Sequence, residues 1–126
     1  MSKKQEVKTV KENNSDVEVA AIPKTYRSVS VSSSGATEST SDTLTVQGGI
    51  AKVSARNTGS NVLRVKIVQR AFLTFVVKQW DVARGSSLNT GEFSITVDQY
   101  RLRIGPIDGR LPTSGNATLT SVEAAY

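Results

Sequence analysis

The chain has 126 residues, 37% of them hydrophobic and 21% charged, with a formal charge of +5. That length suits one domain with an appendage, and no apolar run approaches the roughly 20 residues of a membrane-spanning helix. Cysteine and histidine are both absent, which excludes disulfides, thiolate or imidazole metal sites, and every Ser/His or Cys/His catalytic arrangement.

The first segment, residues 1–27, reads as an arm ahead of a domain over residues 28–126. It carries six basic residues against four acidic ones, a mixed-charge composition rather than a polybasic one. Polar residues follow Lys3 and Lys4 where a secretory signal needs about 7–15 apolar positions, so synthesis in the cytoplasm without such a signal is expected. Within the arm, "VEVAAIP" brings Val17, Val19 and Ile22 together before Pro23, which removes a ladder donor and biases Ile22 to extended backbone. Two readings compete for this stretch. A polar terminus is ordinarily disordered. An extended segment can instead add a strand to the exposed sheet of a neighbouring subunit. Ordering ten residues costs about 10–20 kcal/mol of backbone entropy before offsets, so docking needs both ladder hydrogen bonds and buried side chains. Val17, Val19 and Ile22, with Tyr26, are the candidate contact residues, and a disordered leader has no use for them.

From Ser28 onward the apolar pattern has period two. "SVSV" pairs Val29 with Val31, "TLTV" pairs Leu44 with Val46, and "AKVSAR" aligns Ala51, Val53 and Ala55. "LRVKI" aligns Leu63, Val65 and Ile67. "FSITV" aligns Phe93, Ile95 and Val97, and "YRLRI" aligns Tyr100, Leu102 and Ile104. Each such run has one buried and one wet face. Turn-forming stretches separate them at 32–42, 48–49, 57–61, 84–92 and 105–116, rich in Gly, Asn, Asp, Ser and Pro. Short strands punctuated in this way predict an all-β fold, an antiparallel jelly-roll or β-sandwich, with no helix. Two runs break the alternation. "AFLTFVVKQW" (71–80) is apolar on both parities, as a doubly covered central strand or a subunit contact would be. In "ATLTSVEAAY" (117–126), Leu119 and Val122 fall on opposite parities, which suggests a bulge or a change of face.

Motifs for catalysis are missing: there is no dinucleotide fingerprint, phosphate-binding loop or nucleophile elbow. The domain's carboxylates are Glu38, Asp42, Asp81, Glu92, Asp98, Asp108 and Glu123. Their spacing selects no pair for acid–base work, and solvated turn positions account for them. No enzyme activity, cofactor, metal or small-molecule substrate is expected. Asn13 and Asn116 open glycosylation-type triplets that match by chance.

The cations are more ordered. Lys52 and Arg56 bracket Val53, Arg64 and Lys66 flank Val65, and Arg101 and Arg103 flank Leu102. With the apolar partners in the core, these six project outward. They form either a polyanion-binding face or a solubilising surface that guards against edge pairing. Nucleic-acid platforms usually add exposed aromatics. The aromatic residues Phe75, Phe93 and Tyr100 share the core parity, which favours the solubilising reading.

The order of motifs resembles the bacterial endospore-appendage (Ena-type) fibre subunits. The residues that carry it are "VSARNTGSNVLRVKI" (53–67), "RGSSLNTGEFSITVDQYRLRI" (84–104) and "GNATLTSVEAAY" (115–126). The resemblance covers about residues 43–126. It implies an eight-stranded jelly-roll with an N-terminal connector that inserts into a neighbouring subunit, and hence a head-to-tail homopolymer forming a spore- or cell-surface fibre. The family's connector cysteines, which cross-link neighbours, have no counterpart in this sequence, so docking here would be wholly non-covalent. Two other readings fit the same pattern: a virion part such as a head-decoration or tail subunit, and a monomeric carbohydrate- or polyanion-binding module.

Overall fold

The computed structural model describes residues 24–69 and 75–124, and these contain ten strand segments and no helix. The segments are β1 (Lys24–Gly35), β2 (Ser39–Thr40), β3 (Leu44–Val46), β4 (Ile50–Asn57) and β5 (Leu63–Gln69). They continue as β6 (Phe75–Val82), β7 (Ser87–Asn89), β8 (Phe93–Ser94), β9 (Asp98–Pro106) and β10 (Thr113–Ala124). One sheet runs β1-β10-β4-β7, with β8 also on β4; the other runs β2-β9-β5-β6, with β3 also on β9. Every pairing is antiparallel. Because β2 and β3 share β9, and β7 and β8 share β4, the ten segments fill eight strand positions. Successive positions alternate between the sheets except across the β5–β6 hairpin. This is a jelly-roll, as expected from the period-two pattern.

The core forms where the alternation predicts it. Val53, Leu63, Val65, Ile67, Leu102, Ile104 and Leu119 are 0–1% exposed between the sheets, while Lys52, Ser54, Arg64, Lys66, Arg101 and Arg103 beside them lie on the outer faces; Val68, although next to Ile67, is buried as well. Asn57 is fully buried at the end of β4 and organises the following turn. Its Nδ2 donates to the carbonyls of Asn61 (2.8 Å) and Val82 (2.9 Å), and its Oδ1 accepts from the amide of Gly59 (2.9 Å). One amide side chain thereby ties β4, the turn and the end of β6 together. Gly115 on β10 is fixed by crowding, since a Cβ there would lie 2.3 Å from the Arg56 carbonyl oxygen.

Four details depart from the sequence pattern. "FSITV" yields only the two-residue β8, and Val97 is 59% exposed. After Ser94 the chain leaves the first sheet, held by Ile95 N donating to Gly49 O (2.9 Å) and Tyr100 Oη donating to Thr96 O (2.5 Å). The Ser-rich stretch 32–42 is largely strand, because Ser33 turns inward and its hydroxyl shares a buried hydrogen bond with Thr113 (2.7 Å). No bulge interrupts β10, whose register with β1 and β4 is continuous. Val122 is buried on the outward parity, between Tyr26 of β1 and Ile50 of β4 in register. Finally, the described part of the doubly apolar run is β6, which lies at the rim of its sheet.

Candidate functional site

Among the described residues each sheet has one long unpaired edge, and the two edges differ in chemistry. β1 is Ser-rich and locked to β10 over twelve paired positions. Its outward hydroxyls pair with those of β10, Ser28 with Thr120 and Ser30 with Thr118, both at 2.9 Å. Arg27 bonds Glu123 at 2.6 Å, and this guanidinium holds the Glu123 carboxyl below the usual carboxylate range. β6 begins with Phe75, Val76 and Val77, which are 55%, 50% and 39% exposed. Natural edge strands usually carry Lys, Pro or a bulge to discourage pairing. β6 has two of these devices, Lys78 and a bulge that displaces Val77 from the ladder between the pairs Ile67–Lys78 and Val68–Val76, yet it opens with three adjacent exposed apolar side chains.

Beside that edge the sandwich opens into a cleft of about 540 Å³. Val77 and Lys78 form one wall, and Ser94, Ile95 and Thr96, where the chain changes sheets, form the other. Gln69 and Tyr100 close the floor. Above it, Trp80 packs on Phe93 with ring centroids 5.8 Å apart, and the Lys78 ammonium lies 5.0 Å over the Phe93 ring. The floor is anchored by Asp98, which accepts from the Gln99 amide (2.7 Å) and from the Gln69 side chain. Those two donors hold the Asp98 carboxyl below its ordinary range, and burial pushes the Tyr100 phenol up. A groove of mixed lining, with Val77 and Ile95 facing it among polar residues, ladder groups along one side and a single cation, is suited to an extended peptide. It offers no nucleophile–base pair, and no group of three or more His, Cys, Asp or Glu among the described residues could hold a metal.

Of the expected contact residues, Val17, Val19 and Ile22 lie outside the described residues. Tyr26 is part of β1, 52% exposed on the outer face of the first sheet, with the Lys52 ammonium 5.1 Å over its ring. The six outward cations divide between the two faces. Lys52 and Arg56 are on β4 in the first sheet; Arg64 and Lys66 on β5 and Arg101 and Arg103 on β9 share the outer face of the second. The β6 edge itself was legible only as an apolar run, because alternation does not encode a strand's rank within its sheet.

A scan against protein-family models finds no match, and neither does a search of curated proteins. Solved structures do match. A subunit described under the finding that Bacillus endospore appendages form a family of disulfide-linked pili is 14% identical. The match spans 89% of this chain and 100% of that one, with a TM-score of 0.53. PirA, also 14% identical, aligns over 82% of this chain and 97% of its own at a TM-score of 0.47, too low to bear on fold or function. The molecule is therefore an all-β jelly-roll. More particularly, it has the fold of the endospore-appendage pilus subunits, in a chain with no cysteine for their disulfide linkage.

Proposed function

We propose that the protein is a non-enzymatic structural subunit that polymerises without covalent links into a fibre displayed on a spore or cell surface. Each copy donates the Val17–Ile22 segment of its arm to the β6 edge and cleft of another copy. The observation that carries this is the start of the β6 edge, unpaired among the described residues, with Phe75, Val76 and Val77 exposed beside an open groove. A strand added there gains ladder hydrogen bonds, and its alternate side chains enter the groove. Asp16 and Glu18 flank Val17 and suit a groove whose one cation is Lys78. The likeness in fold to pilus subunits supports the same reading. Because donor segment and acceptor edge are different surfaces, the contact is heterologous and generates open filaments when its rotation does not close.

The test is removal of residues 1–23, which leaves β1 whole. The intact chain should form filaments visible by negative stain and pelletable by ultracentrifugation. The shortened chain should stay folded and monomeric. Filaments from the shortened chain would refute the arm mechanism, and closed rings or shells from the intact chain would point to a virion part instead.

A further inference from the structure

The outer face of the second sheet offers a separate site. Arg64 and Lys66 on β5 and Arg101 and Arg103 on β9 lie on adjacent strands, with Lys66 directly opposite Arg103 in register. Like charges directly opposed destabilise a sheet, so the arrangement needs compensation. Two of the four cations receive it. Lys66 meets Glu38 at 2.5 Å, and Arg64 bonds both oxygens of Asp81 at 2.9 and 3.1 Å. That pairing raises the guanidinium and lowers the carboxyl from their ordinary values.

Arg101 and Arg103 are treated differently. Each donates its Nε to a threonine hydroxyl, Arg101 to Thr43 at 3.1 Å and Arg103 to Thr40 at 3.2 Å. A hydroxyl orients the guanidinium without neutralising it. No carboxylate among the described residues lies within ion-pair distance of either arginine. Two residues apart on one strand, the two guanidinium stems rise about 6.8 Å from each other, in a line that successive groups of a linear anion can follow. Protection against edge pairing does not explain these cations, because β5 and β9 are the interior strands of the sheet. The actual edge, β6, opens with three apolar residues and carries a single lysine, Lys78. With only Nε used in these bonds, the terminal nitrogens of each guanidinium keep their capacity to grip phosphate or sulfate in the usual bidentate way.

We infer that Arg101 and Arg103, oriented by Thr43 and Thr40, bind a linear polyanion bearing phosphate or sulfate groups and lacking bases. Bases are excluded on the ground that nucleic-acid platforms add stacking rings. Tyr100 on β9 and Trp80 on β6 pack into the sandwich, the exposed Phe75 shares the parity of Tyr100 rather than that of the arginines, and no ring stands between the two arginines. The site is independent of the fibre reading, although a polymer would present one copy per subunit and so bind a long polyanion with avidity.

The experiment uses the intact chain and fluorescence anisotropy with labelled long-chain polyphosphate, heparin and a single-stranded DNA oligomer. Salt is varied from about 50 to 200 mM, the range over which such contacts weaken steeply. Polyphosphate or heparin should bind at the lower salt; whichever binds tighter assigns phosphate or sulfate as the group recognised. The double variant R101Q/R103Q should lose at least about tenfold in affinity, and its log–log salt slope should shrink by about 1.4, the value for two contacts to a flexible anionic chain. The opposite-face variant K52Q/R56Q and the arm variant K3Q/K4Q/K8Q/K11Q should bind within about twofold of the parent. Circular dichroism confirms that each variant is folded, and light scattering confirms that its assembly state is unchanged. No binding at low salt overturns the inference, as does a loss confined to either control variant or a preference for DNA over both other polymers.

Discussion

The sharpest test of the β6 edge is Val77→Lys. Val77 is 39% exposed, so a docked strand would bury only that remaining fraction. Full burial of a valine contributes about 1.5–3 kcal/mol, so the portion lost on substitution is about 0.6–1.2 kcal/mol. The larger cost comes from the ammonium. It would be enclosed by the docked strand beside the like charge of Lys78, with Asp16 and Glu18 of the arm offsetting only part of the doubled positive charge, and burying an incompletely paired charge costs several kcal/mol even after relaxation. A conservative sum of about 3 kcal/mol corresponds to roughly a hundredfold rise in the critical concentration for polymerisation, at about 1.4 kcal/mol per decade. The monomer should be nearly unaffected, because a lysine on an open edge stays hydrated and is the residue nature uses to keep such edges apart. Val62→Lys is the matched control, since Val62 is 40% exposed and lines a different surface beside Ile107 and Leu111. The assay is pelleting across a concentration series, with thermal melts of each monomer. Equal critical concentrations for the two variants would refute the assignment of β6 as the acceptor.

Three further outcomes follow from the same geometry. Asn57→Ala strands two carbonyls and an amide that its side chain now satisfies, and should cost about 2–4 kcal/mol. Urea denaturation would show this as a lower midpoint at unchanged slope, and a loss under about 1 kcal/mol would mean that water takes over those partners. For pH, the carboxyls of Asp81 and Asp98 are held below their ordinary range by Arg64 and by the Gln99 amide with the Gln69 side chain, respectively. Their contribution is therefore present above the unfolded value near pH 4 and is lost as pH falls through the lower folded values. With no histidine in the chain, the melting temperature should be level from about pH 5 to 8 and fall below about pH 4. Asp98→Asn should flatten that acid limb in calorimetry, and an unchanged limb would remove Asp98 from the account. Lastly, a fibre with no cysteine should be indifferent to reductant and should shorten on dilution below its critical concentration. Filaments that survive prolonged dilution would require a covalent or near-irreversible junction that this chain's chemistry does not supply.

The sequence made the core legible because β4, β5 and β9 are long enough for alternation to repeat. Leu63, Val65 and Ile67, and Tyr100, Leu102 and Ile104, could be placed facing inward from spacing alone, and they are. The failures lie where a strand is too short or does two jobs. β8 stops after two residues because Ile95 and Thr96 bond elsewhere to change sheets, a tertiary event with no local signature. β7 is three residues inside a stretch whose Gly, Ser and Asn content reads as turn. Ser33 looks like loop and is core-facing because Thr113, eighty positions away, meets its hydroxyl. The outward direction of the six cations was legible, but their division into two faces was not, since period two gives a side of a strand and not the sheet that holds the strand.

On the fibre reading proposed above, the difference between the two edges would let copies polymerise without clumping. If both rims were apolar, any two copies could zip edge to edge, and growth would branch into sheets. β1 is instead a polar rim. Its side chains bond across to β10, and Arg27 is committed to Glu123, so a second strand approaching there finds hydroxyls that already have partners. β6 alone among the two offers apolar side chains with an open groove behind them. On the fibre reading, its complement is carried once per chain, in an arm whose Val17, Val19 and Ile22 are bounded by Pro23. One acceptor and one donor per copy permit a single mode of contact, and a single heterologous contact repeated gives a filament with direction. The polar, internally bonded β1 rim is thus as necessary to a linear fibre as the exposed apolar start of β6. Converting Ser28 and Ser30 to valine should therefore turn orderly filaments into laterally associated bundles without altering the arm or its groove.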